Sequence, residues 1–116
     1  MAAASAAPGA KFVDEFDELI ASDLDGVVIA TPSALHARQA LAALARGRAV
    51  FCQKTLARTT LETRQIIDAA READVLLGID FCYRDIAGAS EMRRLLQSGE
   101  LGEIFAVDLT FHNAYG

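Results

Sequence analysis

The sequence predicts an α/β fold built on a parallel sheet. Three short apolar runs carry that expectation: Gly26-Val-Val-Ile-Ala-Thr31, Ala49-Val-Phe-Cys-Gln53, and Val75 to Phe81. Two stretches of helical periodicity separate them, and the connections are short. A strand covered on both faces reads as a continuous apolar run, and strand–helix–strand–helix–strand order is the pattern of parallel βαβ units.

The elements follow in order. Residues 2 to 7 read as the end of an Ala-rich helix, stopped by Pro8-Gly9. Lys11 to Val13 is expected as a short strand. Asp14 stands where a cap opens a helix over 15–22, with Phe16, Leu19 and Ile20 on one face. Thr31-Pro32 ends the first apolar run, and Ser33 is placed to cap a helix from about 34 to 46 that Gly47 terminates. Thr59-x-x-Glu62 matches a capping box opening a helix to about 73, with Leu61, Ile66, Ile67 and Ala70 as its apolar face. A further helix, about 87–98, shows Ala89, Met92, Leu95 and Leu96 on one side, with Gly99 and Gly102 at its end. From Ile104 the pattern changes. Phe105, Val107, Leu109 and Phe111 alternate with Asp108, Thr110 and His112. This half-buried pattern predicts the first strand of a different, antiparallel-type sheet.

Bulk properties narrow the function. A chain of 116 residues suits one core, and 53% hydrophobic against 23% charged residues argues against disorder. No apolar run approaches the roughly 20 residues of a membrane span, and the small, Ala-rich start lacks the basic and hydrophobic segments of a signal peptide. Net charge is −5, and residues 14 to 25 carry six acids and no base. Nucleic acid, which requires clustered Lys and Arg, is therefore not an expected partner, and the acidic run reads as a solvated helix face. Cys52 and Cys82 lie 30 apart without a CxxC or a His at ligand spacing. No metal site is expected, and both read as reduced core thiols of a cytoplasmic protein.

The stretches VVIATPSALHARQAL, AVFCQKTLARTTLETRQIIDAA and LLQSGELGEIFAVDLTF resemble the Gfo/Idh/MocA family of NAD(P)-dependent oxidoreductases. The resemblance covers about residues 10 to 116. It rests on TPxxxH (Thr31, Pro32, His36), the strand ending in Gln53-Lys54, Arg84 after the third strand, and GELG from Gly99 to Gly102. It implies a partial Rossmann domain, strands four to six, over residues 1–84. Residues 85–116 would then be the linker helix and first strand of a C-terminal α/β substrate domain. The eight glycines form no GxGxxG, so the turn that grips a pyrophosphate is expected outside this chain, which reads as cut at both ends.

The resemblance also implies roles. Lys54 corresponds to the family's EKP lysine, the catalytic residue beside the nicotinamide. Thr31, Pro32, Ser33 and His36 map onto a cofactor-contacting loop, and Gln53 stands where the commoner pattern has a ribose-binding Glu. NAD or NADP is the implied cofactor, a sugar, polyol or related carbonyl compound the implied substrate, and a homo-oligomer the implied full-length state. Arg84, His112 and Tyr115 are substrate-side candidates. Ser33 also reads as a plain helix cap, His36 as a surface imidazole one turn into the helix, and Arg84 as a structural ion pair. Thr55 replaces the family proline. Because a cis bond before Thr costs roughly 3 kcal/mol, Lys54–Thr55 is expected to be trans. The departures at Gln53 and Thr55 support an alternative, a non-catalytic dinucleotide-binding or interaction module of the same fold. A complete small flavodoxin-like domain is a weaker third reading, since it needs a phosphate loop that is not visible.

Overall fold

A computed structural model describes residues 7–110 and residue 112. The chain divides into two compact units, Met1–Asp80 and Phe81–Gly116. Their described elements are α1 (Phe16–Ala21), β1 (Gly26–Ile29), α2 (Ser33–Leu44), β2 (Ala49–Gln53), α3 (Thr60–Glu72) and β3 (Leu77–Asp80) in the first. A 3₁₀ turn (Cys82–Arg84) and α4 (Ala87–Ser98) belong to the second.

The sheet is parallel throughout, in the order β1-β2-β3. Gly26 pairs with Ala49 and Ile29 with Cys52; Val50 pairs with Leu77 and Gln53 with Asp80. The register aligns the carboxyl ends of the three strands, because each crossover runs through a helix and returns the chain to the same edge. Alternate residues Val27, Ile29, Val50 and Cys52 are buried and form the core with Ala40, Ala43 and Leu44 of α2 and Ile66 and Ala70 of α3. The opposite face differs from the two-sided burial expected of continuous apolar runs. Val28 is 74% exposed and Phe51 47%, so in the described structure helices cover one face. Continuity of an apolar run shows that both faces are apolar, not which element covers each.

Local signals explain the helix ends. Gly47 takes φ +67°, its N–H bonds the Leu44 carbonyl at 2.8 Å, and the Arg48 N–H bonds the Ala43 carbonyl at 3.1 Å. This pair of bonds is a Schellman closure around a left-handed residue. α3 closes in the same way with Asp74 at φ 52°, through Asp74 N–H to Arg71 and Val75 N–H to Ala70. At the start of α3 the Thr59 hydroxyl accepts from the Glu62 N–H at 3.1 Å, as the capping box requires. The Glu62 carboxylate instead accepts from the Arg58 backbone N–H at 3.0 Å and from its guanidinium at 2.8 Å. These bonds hold the Glu62 carboxyl below its ordinary range: first the Arg58 side-chain bond, then its backbone bond.

Several expectations are corrected. Lys11–Val13 is irregular and pairs with no strand. α1 begins at Phe16 after Glu15, without a side-chain cap from Asp14. Ser33 is the first residue of α2, preceded by Pro32 with no side-chain cap. Leu61 is exposed, so the buried face of α3 is narrower than its apolar pattern suggests. Cys82 is exposed, whereas Cys52 is buried and its thiol pushed up by desolvation. Residues 104–110 make no ladder, because a strand exists only against a hydrogen-bonded neighbour and none of the described residues supplies one. The expected Ala-rich helix over 2–7 lies almost wholly outside the described residues.

In the second unit, α4 leaves Met92 exposed, and Ala89 and Leu95 are partly covered. Both glycines of GELG take positive φ, and the Gly102 N–H bonds the Gly99 carbonyl at 3.0 Å. Arg94 ties this turn to the helix through Glu91 at 2.8 Å and Glu100 at 2.9 Å. No described helix is long and apolar enough to cross a membrane.

Candidate functional site at the strand carboxyl ends

Ligands of open α/β sheets sit outside the carboxyl ends of the strands. In the first unit that edge carries Thr31, Pro32 and Ser33 after β1, Gln53 and Lys54 at the end of β2, and Asp80 at the end of β3. Thr31, Pro32, Ser33, Gln53 and Lys54 are exposed, and Asp80 is partly buried. The sheet register brings Gln53 opposite Asp80. The Gln53 amide Nε2 donates to Asp80 Oδ2 at 3.1 Å, which leaves its carbonyl oxygen available as an acceptor. Asp80 was not singled out by sequence reasoning. The usable signal was positional, because Asp80 ends the third apolar run as Gln53 ends the second.

Behind this edge lies a buried polar cluster. His36, on the first turns of α2, is 1% exposed. Its Nε2 is 2.7 Å from the Thr31 carbonyl oxygen and its Nδ1 is 2.7 Å from that of Thr55. The Thr31 hydroxyl donates to Oε1 of the buried Gln39 at 2.6 Å. Leu56 and Ala57, which follow Thr55, are each 3% exposed and anchor the chain in the core. The expectation of a trans Lys54–Thr55 bond is corrected: the bond is cis. The generic preference weighs only local sterics and takes no account of the tertiary setting between the end of β2 and the buried Leu56 and Ala57.

The substrate-side candidates belong to the second unit. Arg84 closes the 3₁₀ turn with its guanidinium 5.5 Å from the Phe81 ring centroid, a cation–π contact; among the described residues it makes no ion pair of the kind expected. His112 is exposed, and Tyr115 lies outside the described residues.

A parallel sheet crossed over by helices, with polar side chains gathered at its carboxyl edge, is an α/β architecture that receives ligands at that edge. The chain belongs to the Gfo/Idh/MocA oxidoreductases: the profile of that family, described as an oxidoreductase family with an NAD-binding Rossmann fold, matches residues 1–81. Among curated relatives, 1,5-anhydro-D-fructose reductase of Ensifer adhaerens is 38% identical over 106 residues, covering 90% of this chain and 32% of the relative. Inositol 2-dehydrogenase of Rhodococcus erythropolis is 34% identical over 112 residues, covering 95% of this chain and 32% of that enzyme. The crystal structure of the WlbA dehydrogenase from Bordetella pertussis, in complex with NADH and UDP-GlcNAcA, superposes with a TM-score of 0.82 at 30% identity. That superposition covers 90% of this chain and 30% of the other. The chain thus spans about a third of the length of the relatives it matches.

Proposed function

We propose that this chain is part of a cytoplasmic, homo-oligomeric NAD(P)-dependent oxidoreductase acting on a sugar, polyol or related carbonyl compound. In this reading residues 1–84 are the second half of the dinucleotide-binding domain, and residues 85–116 open the substrate domain. One observation carries it: Thr31–Ser33, Gln53 and Lys54 stand together on the carboxyl edge of a parallel sheet, where such folds receive their ligands. The residues present fit a dinucleotide. Gln53 keeps a free carbonyl acceptor for a ribose hydroxyl because Asp80 engages its amide. Thr31, Pro32 and Ser33 offer an exposed loop for the cofactor to lie against.

The nicotinamide, when bound, supplies the two-electron hydride acceptor or donor. Lys54 does the chain's own chemistry. As a carbinol carbon gives up hydride, its hydroxyl gives up a proton and the C–O bond becomes a carbonyl. The Lys54 amine, as its free base, accepts that proton, the ammonium so formed stabilises the developing alkoxide, and the proton passes on to water. In the reverse direction it returns the proton to the carbonyl oxygen. The named activities of the relatives, on inositol and on 1,5-anhydro-D-fructose, suggest the first substrates to try. The test is to assay the intact protein with NAD, NADP and their reduced forms against inositols, hexoses and 1,5-anhydro-D-fructose. Coenzyme-dependent turnover of at least one is expected. An intact protein that neither binds nor turns over either coenzyme would overturn the reading.

A further inference from the structure

We propose that His36 is a positioning residue that sets the direction in which Lys54 leaves the sheet, and that it does not itself touch the cofactor. The proposal rests on the oxidoreductase reading above. The β1–β2 ladder ends with the pair Ile29 and Cys52. Beyond that pair the two chains diverge into separate loops, and the His36 ring continues the link between them. It reaches back to the Thr31 carbonyl on one side and across to the Thr55 carbonyl on the other, each at 2.7 Å. One planar side chain thereby extends the order of the sheet into the loops that carry Thr31 and Lys54.

The neighbours of Lys54 show what this link achieves. On one side Gln53 is the last residue of β2, tied to Asp80. On the other, the Thr55 carbonyl is held by His36, and Leu56 and Ala57 enter the core. Lys54 is exposed between two anchored residues. Its amine is free to meet a ligand while its backbone is fixed, the arrangement that preorganised catalysis requires. The ring is itself in place because Gln39, one turn further along α2, holds the Thr31 hydroxyl at 2.6 Å. At 1% exposure, with both nitrogens facing backbone carbonyls, the ring presents no free polar atom to a cofactor. A carbonyl oxygen only accepts and a neutral imidazole carries a single N–H, so the ring bonds both carbonyls only with a proton on each nitrogen; the brace depends on the ring as a donor, and phenylalanine of similar shape cannot replace it.

Four variants of the intact protein test this: His36→Phe, His36→Gln, Lys54→Met and the double variant His36→Phe/Lys54→Met. Misplacing a catalytic group by about 1 Å costs on the order of a hundredfold in rate. His36→Phe is therefore expected to lower kcat at saturating coenzyme by at least about tenfold. Its Kd for NADH, by fluorescence titration, should stay within about threefold, because the brace acts on Lys54 rather than on binding. His36→Gln keeps a donor and should recover part of kcat. In the Lys54→Met background the same His36 change should lower the residual kcat by less than about threefold, since the group it positions is gone. Equal losses in both backgrounds, or a fall in NADH affinity as large as the fall in kcat, would overturn the proposal. Amide hydrogen exchange, read on His36→Gln if the phenylalanine variant does not fold, supplies a readout independent of activity. Exchange should accelerate over residues 54–57 and not over α3, and unchanged exchange at 54–57 would equally overturn it. If the wild-type protein turns over no substrate, that failure belongs to the oxidoreductase reading. The exchange result still decides whether His36 braces the loop.

Discussion

Replacing Gln53 by glutamate sets two carboxylates where an amide and a carboxylate now share a hydrogen. The present bond is 3.1 Å from Gln53 Nε2 to Asp80 Oδ2. Two unit charges at that separation repel by about 1.3 kcal/mol at the dielectric of water and about 5 kcal/mol at an effective constant of 20. Gln53 is exposed and Asp80 only partly buried, so both side chains can turn toward solvent. The lower figure therefore governs, and an expected loss of about 1–2 kcal/mol also includes the missing hydrogen bond. Adding Asp80→Asn to the Gln53→Glu variant restores the pair with donor and acceptor exchanged, and should recover most of that loss. The assay is the thermal midpoint of the intact protein, the two single variants and the double variant, at low salt and again near 1 M salt. The Gln53→Glu variant should melt a few degrees low, and the deficit should shrink with salt as the screening length falls to about 3 Å. If Gln53→Glu melts with the wild type, or if Asp80→Asn fails to rescue it, Gln53 and Asp80 are not paired and the reasoning fails.

Thr59→Ala should cost about 1 kcal/mol of stability and Thr59→Ser almost none, read from denaturant midpoints, because the hydroxyl caps α3. The folded state lowers the Glu62 carboxyl, so its contribution is present above the unfolded-state carboxylate pKa and disappears as pH falls through the folded value. Glu62→Gln should accordingly lower the midpoint at neutral pH and converge with wild type in acid, and a constant difference across pH would refute this. Gly26→Ala should destabilise more than Gly78→Ala in a thermal melt. A Cβ at 26 would lie 2.8 Å from the Ala49 backbone oxygen, whereas one at 78 would lie 2.8 Å from a Phe51 ring atom on the exposed face. The reverse order would contradict the packing. Thiol labelling mapped by mass spectrometry should modify Cys82 in the native protein and spare Cys52 until denaturant is added, and early labelling of Cys52 would show the core placed wrongly.

Much of the fold was legible because its signals are local. The three strands, the Thr59 cap and the Gly47 closure each arise from residue types that favour one backbone state. Asp74 closes α3 in the conformation that Gly47 uses for α2, yet nothing in its type marks it as the closing residue. Alternation from Ile104 onward indicates a segment suited to a strand, but pairing is a property of two segments. The strand-end positions of Thr31, Gln53 and Lys54 were legible, since strand ends can be counted. The place of His36 was not: TPxxxH marks a histidine, while the two carbonyls that its ring meets, 5 and 19 residues away, are brought to it only by tertiary packing. The cis Lys54–Thr55 bond and the Gln53–Asp80 pair escaped for the same reason.

The central claim, that this sheet edge carries the proton-handling lysine of an oxidoreductase, is tested most directly by Lys54→Met in the intact protein. The change removes the ammonium and keeps an unbranched apolar chain of similar length. Because the amine acts on charge that develops in the transition state, kcat should fall by about a hundredfold or more, while the Kd for NADH stays within about threefold. Unchanged turnover on the best substrate would remove Lys54 from the chemistry and contradict the account.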